Sequence, residues 1–536
     1  MKKSLISLLC IMLLAGLLAA CQNSNKKAEN TAAPGANGST TASDTPSAEP
    51  TKFSIARGTL ALKAVESVED INKDKWVIEL EKRTNTDMDI QLLPHKDFKQ
   101  KISLMFAGGS IPDVLVAYQS MTPASKDMKG AVEAGIFMPL DDILKSHGQN
   151  LLNSIPKEAW DEVTYNGKIY SIPQYLSVQS RRSTFVRSDL LEKAGIQAPA
   201  TIDDVLPMLR EFKKQGIEQP FGFRENFKYA DFILGAYDVM PYSTMYEKQG
   251  DQIVPKFFDS ENMMKALEMY KTMYDEGLMA KDFATITGAM WTKSRDAGNI
   301  GIYNANANQL GIYQSELINS VPDGKLTMIP SPVGPDGKGG TMLYNMTLEQ
   351  AYLNSDLDKS KAEAIVAYFD YMVSDEAKTF FTFGNEGETY TTDNGKITYQ
   401  VPADEEARYS EQRRNWLWIA QDGAFNKDRL PLETKGEEML NGFVSILPNE
   451  GRGGVSFDPE LDSYTKYPDL APKFDEPSKF IVDHMIAMIY GKEKISEWPK
   501  VIETWKERGG NEIIKEATER FNSKSGVVIG PDANVQ

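Results

Sequence analysis

Residues 95–117 join an amphipathic helix, an abrupt stop and a short apolar strand, and no other part of the chain restricts the fold as much. Phe98, Ile102, Met105 and Phe106 fall at i, i+4, i+7 and i+8, which lays one apolar stripe along a helix. Gly108 and Gly109 end it, because glycine takes the left-handed conformation at a helix terminus without steric cost. Pro112 prevents the helix from resuming. Val114 to Ala117 is continuous and apolar, the pattern of a strand covered on both faces. Upstream, Phe53 to Ala56 reads as a strand, Asn72 to Arg83 as a helix and Met88 to Leu93 as a second strand. This βαβαβ alternation predicts an α/β fold with parallel-rich sheets and helices on both faces. Ligands of open α/β sheets bind outside the carboxyl ends of the strands, so Tyr118, Gln119 and Ser120 are candidate binding residues.

At 536 residues the chain exceeds the roughly 250 to 300 at which a single core stops growing, so at least two lobes are expected. Its formal charge of −17 is spread without long acidic runs and repels nucleic acid and anionic lipid surfaces. The two cysteines, Cys10 and Cys21, both precede the folded body, which therefore contains no disulfide. His95, His147 and His484 lie far apart and fit no metal-ligand spacing, so neither a metal nor a cofactor is expected. No nucleophile elbow, phosphate-binding loop or dinucleotide fingerprint occurs.

The first 20 residues read as an export signal: Lys2 and Lys3 precede an apolar run from Leu5 to Ala20. The run closes on Leu18-Ala19-Ala20-Cys21, which resembles a bacterial lipobox, and that resemblance implies acylation of Cys21. Residues 21–51 then form a tether. From Gln22 to Pro50 there is no aromatic or large aliphatic side chain, so the segment cannot bury enough apolar surface to order itself.

Further along, Tyr165 to Pro173 carries an Asn166-Gly167 turn between β-prone runs, a strong hairpin signal. Thr184 to Arg187 reads as a strand. Ser188 or Asp189 caps a helix that ends at Gly195, and Thr201 with Asp204 approximates a capping box for the next. Helices are expected at Tyr229 to Val239 and Asn262 to Asp275, the latter capped by Ser260. Ser360 with Glu363 forms a capping box and Ser374 caps a further helix. Trp498 and Trp505, one heptad apart, belong to a core stripe.

The Lys- and Met-rich helix with its paired glycines before Ile111-Pro112-Asp113, the Asn166-Gly167-Lys168 run and, above all, the block from Phe185 to Lys214 resemble the extracellular solute-binding proteins of bacterial ABC importers. Phe383 to Thr392 is similar to another segment of that family. The resemblance implies a two-lobe fold like that of periplasmic binding proteins, with hinge crossings between lobes. Its expected boundaries are 52–175 plus 345–385 for the first lobe and 176–344 plus 386–536 for the second. It also implies a non-enzymatic monomer held on the extracytoplasmic face of the cell membrane, which hands a carbohydrate, an oligosaccharide in large members, to a membrane permease.

Sugar recognition needs flat aromatic faces and planar polar groups. Trp291, Trp416 and Trp418 are the aromatic candidates. Tyr303 and Asn304 stand at the end of a strand from Ile300, where amides can serve hydroxyls, and Arg181 lies near the expected first crossing. Glu386, two residues from Glu388 in an extended segment, is the remaining candidate. That pair carries an alternative reading, a surface-anchored glycoside hydrolase with an acid and a base. A ligand sensor partnering a membrane receptor is the other alternative.

Overall fold

Each expected strand of the first βαβαβ unit forms, and each is longer than its apolar core. The computed structural model describes residues 49–118, 128, 130–399, 402, 404–530, 533 and 535. Strand β1 is Thr51–Gly58, β2 is Thr86–Leu93 and β3 is Val114–Tyr118. Helix α1, Lys75–Thr84, joins the first two strands, and α2, Phe98–Gly108, the second and third. Asp74 caps α1 by accepting the Trp76 N–H, and Trp76, Val77 and Leu80 bury one side of the helix. Gly109 closes α2 at φ 63°, its N–H donating to the Met105 and Phe106 carbonyls. Phe98 and Ile102 of the predicted stripe are buried; Met105 and Phe106 are half-buried at its edge.

The chain then passes through helix α3, Lys157–Glu162, and the predicted hairpin at Thr164–Tyr165 and Lys168–Ile169. Strand β4 is Ser171–Tyr175. Four strands build a second sheet: β5, Arg182–Arg187; β6, Gln219–Phe221; β7, Ile300–Asn306; and β8, Leu326–Ile329. Helix α4, Gly288–Asp296, precedes β7. The chain returns to the first sheet as β9, Thr347–Leu353, followed by α5, Lys359–Tyr371, α6, Asp375–Phe383, and α7, Glu405–Leu417.

The first sheet has the order β2-β1-β3-β9-β4 and the second β8-β5-β7-β6. Both are mixed rather than dominated by parallel pairs. β1 runs parallel to β2 and β3, and β6 to β7, but β9 is antiparallel to β3 and β4, and β5 to β7 and β8. The reason is topological: a strand that re-enters a sheet from the other lobe starts at the edge where its neighbours end, so it runs against them.

Three core clusters follow. Phe53, Trp76, Leu80, Phe369, Phe380 and Trp416 pack on one face of the first sheet, and Phe98, Ile102, Leu115 and Tyr352 on the other. The second sheet has its own core, which includes Phe185, Phe221, Tyr270 and the expected pair Trp498 and Trp505. Residues 416–420, which fall within the expected second lobe, pack in the first core, because α7 lays Trp416 and Leu417 against it and Arg413 on Asp74 at 2.6 Å. Two helix caps also differ. Asp358, not Ser360, caps α5, and Asp259, not Ser260, caps Ser260–Asp275. In each the earlier carboxylate wins because it accepts the free N–H and opposes the helix dipole. The Thr201–Asp204 box and the Ser374 cap form as read.

Candidate functional site

Register fixes one edge of each sheet as the place where the chain changes lobe. In the first sheet Leu93 pairs with Gly58, Tyr118 with Glu349, and Thr347 with Tyr175. The carboxyl ends of the parallel strands therefore lie on the edge where β4 leaves and β9 arrives. In the second sheet Asn306 pairs with Arg182 and Ile329 with Thr184, so β5 begins on the edge where β7 and β8 end.

Three crossings connect these edges, and the first bonds to each of the other two. Leu176 N–H donates to Met346 O at 2.7 Å and Tyr344 N–H to Gln179 O at 3.0 Å. Tyr175 N–H donates to Gln421 O at 3.1 Å, and Gly423 N–H to Tyr175 O at 2.7 Å. Core membership switches along the same segments: Ala420 packs in the first core and Ala424 in the second.

Three carboxylates hold the crossings and the segment that leads into one of them. Glu162 accepts the N–H groups of Met346 and Thr347, Asp422 those of Ser177 and Ala424, and Glu450 that of Ser331 just after β8. Burial raises the carboxyl of each above the usual range, against the hydrogen bonds they accept, and Glu450 is pushed up to about 7.

At the first edge the Tyr118 ring lies over Gly58, where a Cβ would stand 2.2 Å from its hydroxyl. It also packs on Phe98, with ring centroids 4.2 Å apart, and its hydroxyl is 3.3 Å from His95 Nδ1. Burial, with the Glu349 charge adding to it, pushes the phenol up to about 12, so it stays a protonated hydrogen-bonding group at neutral pH. The loop after β1 places Leu60 and Ala61 both at φ 57°, a strained pair at the strand's carboxyl end.

The second edge mirrors this. Asn226, Phe227 and Tyr229 all have positive φ in the segment after β6. Tyr229 is half-buried, stacks obliquely on Trp291 at 5.3 Å and lies under the Arg182 guanidinium at 5.0 Å. Arg182 is clamped between Asp231, at 2.8 Å, and Asp475, and Lys228 meets Asp475 at 2.9 Å. Burial pushes the Asp475 carboxyl up, but the charges of Arg182 and Lys228 outweigh it and hold the group below its usual range.

The sequence-derived candidates divide sharply. Tyr118 stands on the first edge and Arg181 on the first crossing, half-buried, its guanidinium 5.8 Å from the Tyr344 ring. Gln119 and Ser120, like Cys21, lie outside the described residues. Trp291 and Tyr303 are enclosed in the second core, and Asn304 is consumed by the scaffold: it accepts the Phe232 N–H and donates to Thr184 Oγ1 at 3.0 Å. Trp416 and Trp418 are both buried, because one ends α7 against β1 and the other stacks on Phe381 at 5.1 Å. Their indole N–H groups donate to Gly58 O and Met372 O. Glu386 is exposed on a turn tied to α1, through Asn385 to Arg83 and Glu388 to Lys75, not to a crossing. Tyr344 and Asp475 escaped the sequence reading, since they sit in segments without periodicity, and Tyr229 was read as the start of a helix that instead runs over Asp231–Ala236.

A pocket of about 680 Å³ opens between the start of α1 and the outer half of α7. Its Arg413 is already taken up by Asp74 and Glu406, at 2.6 and 3.0 Å, so this pocket is a seam between helices rather than part of the crossing edges. Among the described residues no group of His, Cys, Asp and Glu side chains is arranged to hold a metal ion, and no helix is long and apolar enough to cross a membrane.

The family model of the bacterial extracellular solute-binding protein matches residues 66–379. The chain is 26% identical over 470 residues to the polygalacturonan/rhamnogalacturonan-binding protein YtcQ of Bacillus subtilis, covering 84% of this chain and 88% of that protein. It is 23% identical over 467 residues to lipoprotein LipO of the same organism, covering 83% and 88%. The solved structure of the alginate-binding protein AlgQ2 without calcium ion superposes with a TM-score of 0.63 at 18% identity, covering 88% of this chain and 98% of that one, a likeness of fold.

Proposed function

The chain belongs to the bacterial extracellular solute-binding protein family, and we propose that it captures an oligosaccharide between its two sheets and delivers it to the permease of an ABC importer. The observation that carries this reading is the convergence of both sheet edges on three crossings, the first bonded to each of the other two, with strained loops and half-buried aromatic rings at each edge. Tyr118 and Tyr229 supply flat faces for the apolar sides of sugar rings, and the charged and amide groups around them suit hydroxyls. The carbohydrate-binding name of YtcQ supports the same class of cargo.

The mechanism is a hinge without chemistry. Lobes of residues 51–175 with 347–420, and 176–344 with 424–530, rotate about the crossings. A solute that touches both edges binds the closed arrangement more tightly than the open one, and only that difference drives closure. Within the pair behind the hydrolase alternative, Lys75 and Asn385, bonded to Glu388, hold its carboxyl below the usual range, which is opposite to the raised value a general acid needs.

Upstream of the described residues, the Leu18–Cys21 motif supports export and acylation at Cys21, and LipO is itself named a lipoprotein. The protein would then work as a monomer on the outer face of the membrane, on a tether of about 30 residues that reaches roughly 30 Å as a random coil. The mass of the mature N-terminal peptide tests the anchor. A glycan panel read by melting shift, together with a reducing-end assay, tests the function: stabilisation without new reducing ends is expected, and release of reducing ends overturns it.

A further inference from the structure

Among the arginines near the crossings, Arg181 stands apart. Arg182 is held by Asp231 and Asp475, Lys228 by Asp475, Arg224 by Glu225 at 3.0 Å and Arg295 by Asp296 and Glu316. Arg181 has no carboxylate partner among the described residues, although acids outnumber bases across the chain and its formal charge is −17. Its head is nonetheless positioned. The Arg181 carbonyl accepts the Ala307 N–H at 3.0 Å, which ties the residue to the end of β7. Its guanidinium lies toward Tyr344, whose backbone is fixed on both sides by Gln179: the Tyr344 N–H donates to Gln179 O, and Gln179 Nε2 donates to Tyr344 O at 2.9 Å. Phe474 packs edge-on to that ring at 5.0 Å.

We infer that Arg181 is the residue that reads a carboxylate on the cargo, so that the preferred ligand is an acidic, uronate-bearing oligosaccharide; this rests on the solute-binding reading of the same edges. A planar guanidinium with its fork free presents two parallel N–H donors to a carboxylate, a geometry an ammonium does not reproduce. Backed by a fixed aromatic ring, it loses little freedom on binding. Its place on the first crossing puts the charge where both lobes meet, so a carboxylate held there touches the hinge itself. The long-range field of the protein repels an anion, but at physiological salt the Debye length is about 8 Å, so the local fork decides.

The test compares trigalacturonate with its fully methyl-esterified form, identical in sugar and linkage but uncharged, by calorimetric titration of the full-length folded protein. The wild type is expected to bind the acid at least tenfold more tightly than the ester. Arg181→Gln is expected to weaken binding of the acid at least tenfold more than binding of the ester, which abolishes the preference, and Arg181→Lys restores part of it. Melting curves without ligand establish that both variants are folded. Equal binding of acid and ester by the wild type, or an unchanged preference in Arg181→Gln, overturns the role of Arg181 and leaves the solute-binding reading intact. Absence of binding to any member of a neutral and acidic glycan panel overturns both.

Discussion

Glu162 Oε2 accepts both the backbone N–H and the hydroxyl of Thr347, at 2.9 and 2.8 Å, while Oε1 accepts the Met346 N–H at 2.7 Å. One carboxylate at the end of α3 thus satisfies three donors where the chain re-enters the first sheet as β9. Glu162→Ala leaves those donors to water or to nothing, and stability falls by about 1–3 kcal/mol. Amide exchange at Met346 and Thr347 rises ahead of the rest of β9. An exchange map that changes uniformly, or not at all, contradicts a local hinge clamp.

Gly58 answers to space rather than to backbone freedom, since its φ is not positive. A methyl group there would stand 2.2 Å from the Tyr118 hydroxyl and 3.1 Å from the Phe98 ring. Gly58→Ala therefore displaces the Tyr118 ring from the edge. Solute affinity should fall several-fold with a stability loss of about 1–3 kcal/mol, as for a one-carbon overpacking. The double variant Gly58→Ala/Tyr118→Leu relieves the overlap and recovers stability but not affinity, which calorimetry and melting curves separate.

Arg57 on β1 reaches across β3 to Glu349 on β9, its Nε 3.2 Å from Oε1, and it also donates to the Trp416 carbonyl at the end of α7. All three partners are buried. Removing either charge strands the other, so Arg57→Met or Glu349→Leu alone costs about 3–5 kcal/mol. The double substitution costs less than the sum, because no charge is left uncompensated. Denaturant titration of the four proteins checks the cycle; additive losses would mean that the two groups do not interact.

What the sequence made legible was local. The first βαβαβ unit followed from 3.6- and 2-residue periodicity and from glycine stops, all of which act within a dozen residues. The antiparallel partners β9 and β5 were not legible as such, because their direction depends on chain that returns after long excursions in the other lobe. The tryptophans show the same limit. Trp416 and Trp418 follow a charged run, Glu411 to Arg414, yet Arg413 and Arg414 are themselves buried in ion pairs with Asp74 and Glu411. A charged run normally marks solvent; here it is neutralised by partners more than 300 residues away or one helical turn back. The positions of Tyr118 at a strand end and Arg181 on a crossing were legible, because topology alone places strand ends and crossings.

The last prediction concerns Glu450, whose Oε2 accepts the Ser331 N–H at 2.7 Å while Ser331 Oγ also contacts Thr184 Oγ1 at 2.8 Å. The neighbouring Arg452 does not neutralise it, being bonded to Asp336 at 2.8 Å. With its carboxyl pushed up to about 7, Glu450 binds a proton more tightly in the folded chain than in the unfolded one. Its contribution to stability is therefore complete below the ordinary carboxylate value and is lost as pH rises through 7. Glu162 and Asp422, also raised by burial, act with the same sign. Asp475 is lowered and acts oppositely, its stabilisation being lost only as pH falls through its depressed value. Glu450→Gln keeps an acceptor for Ser331 and removes the titration. Relative to the wild type it should gain on the order of 2–3 kcal/mol between pH 5 and pH 8. Urea titrations across that range read the difference directly, and a constant gap between the two proteins would show that Glu450 does not change its ionisation on folding.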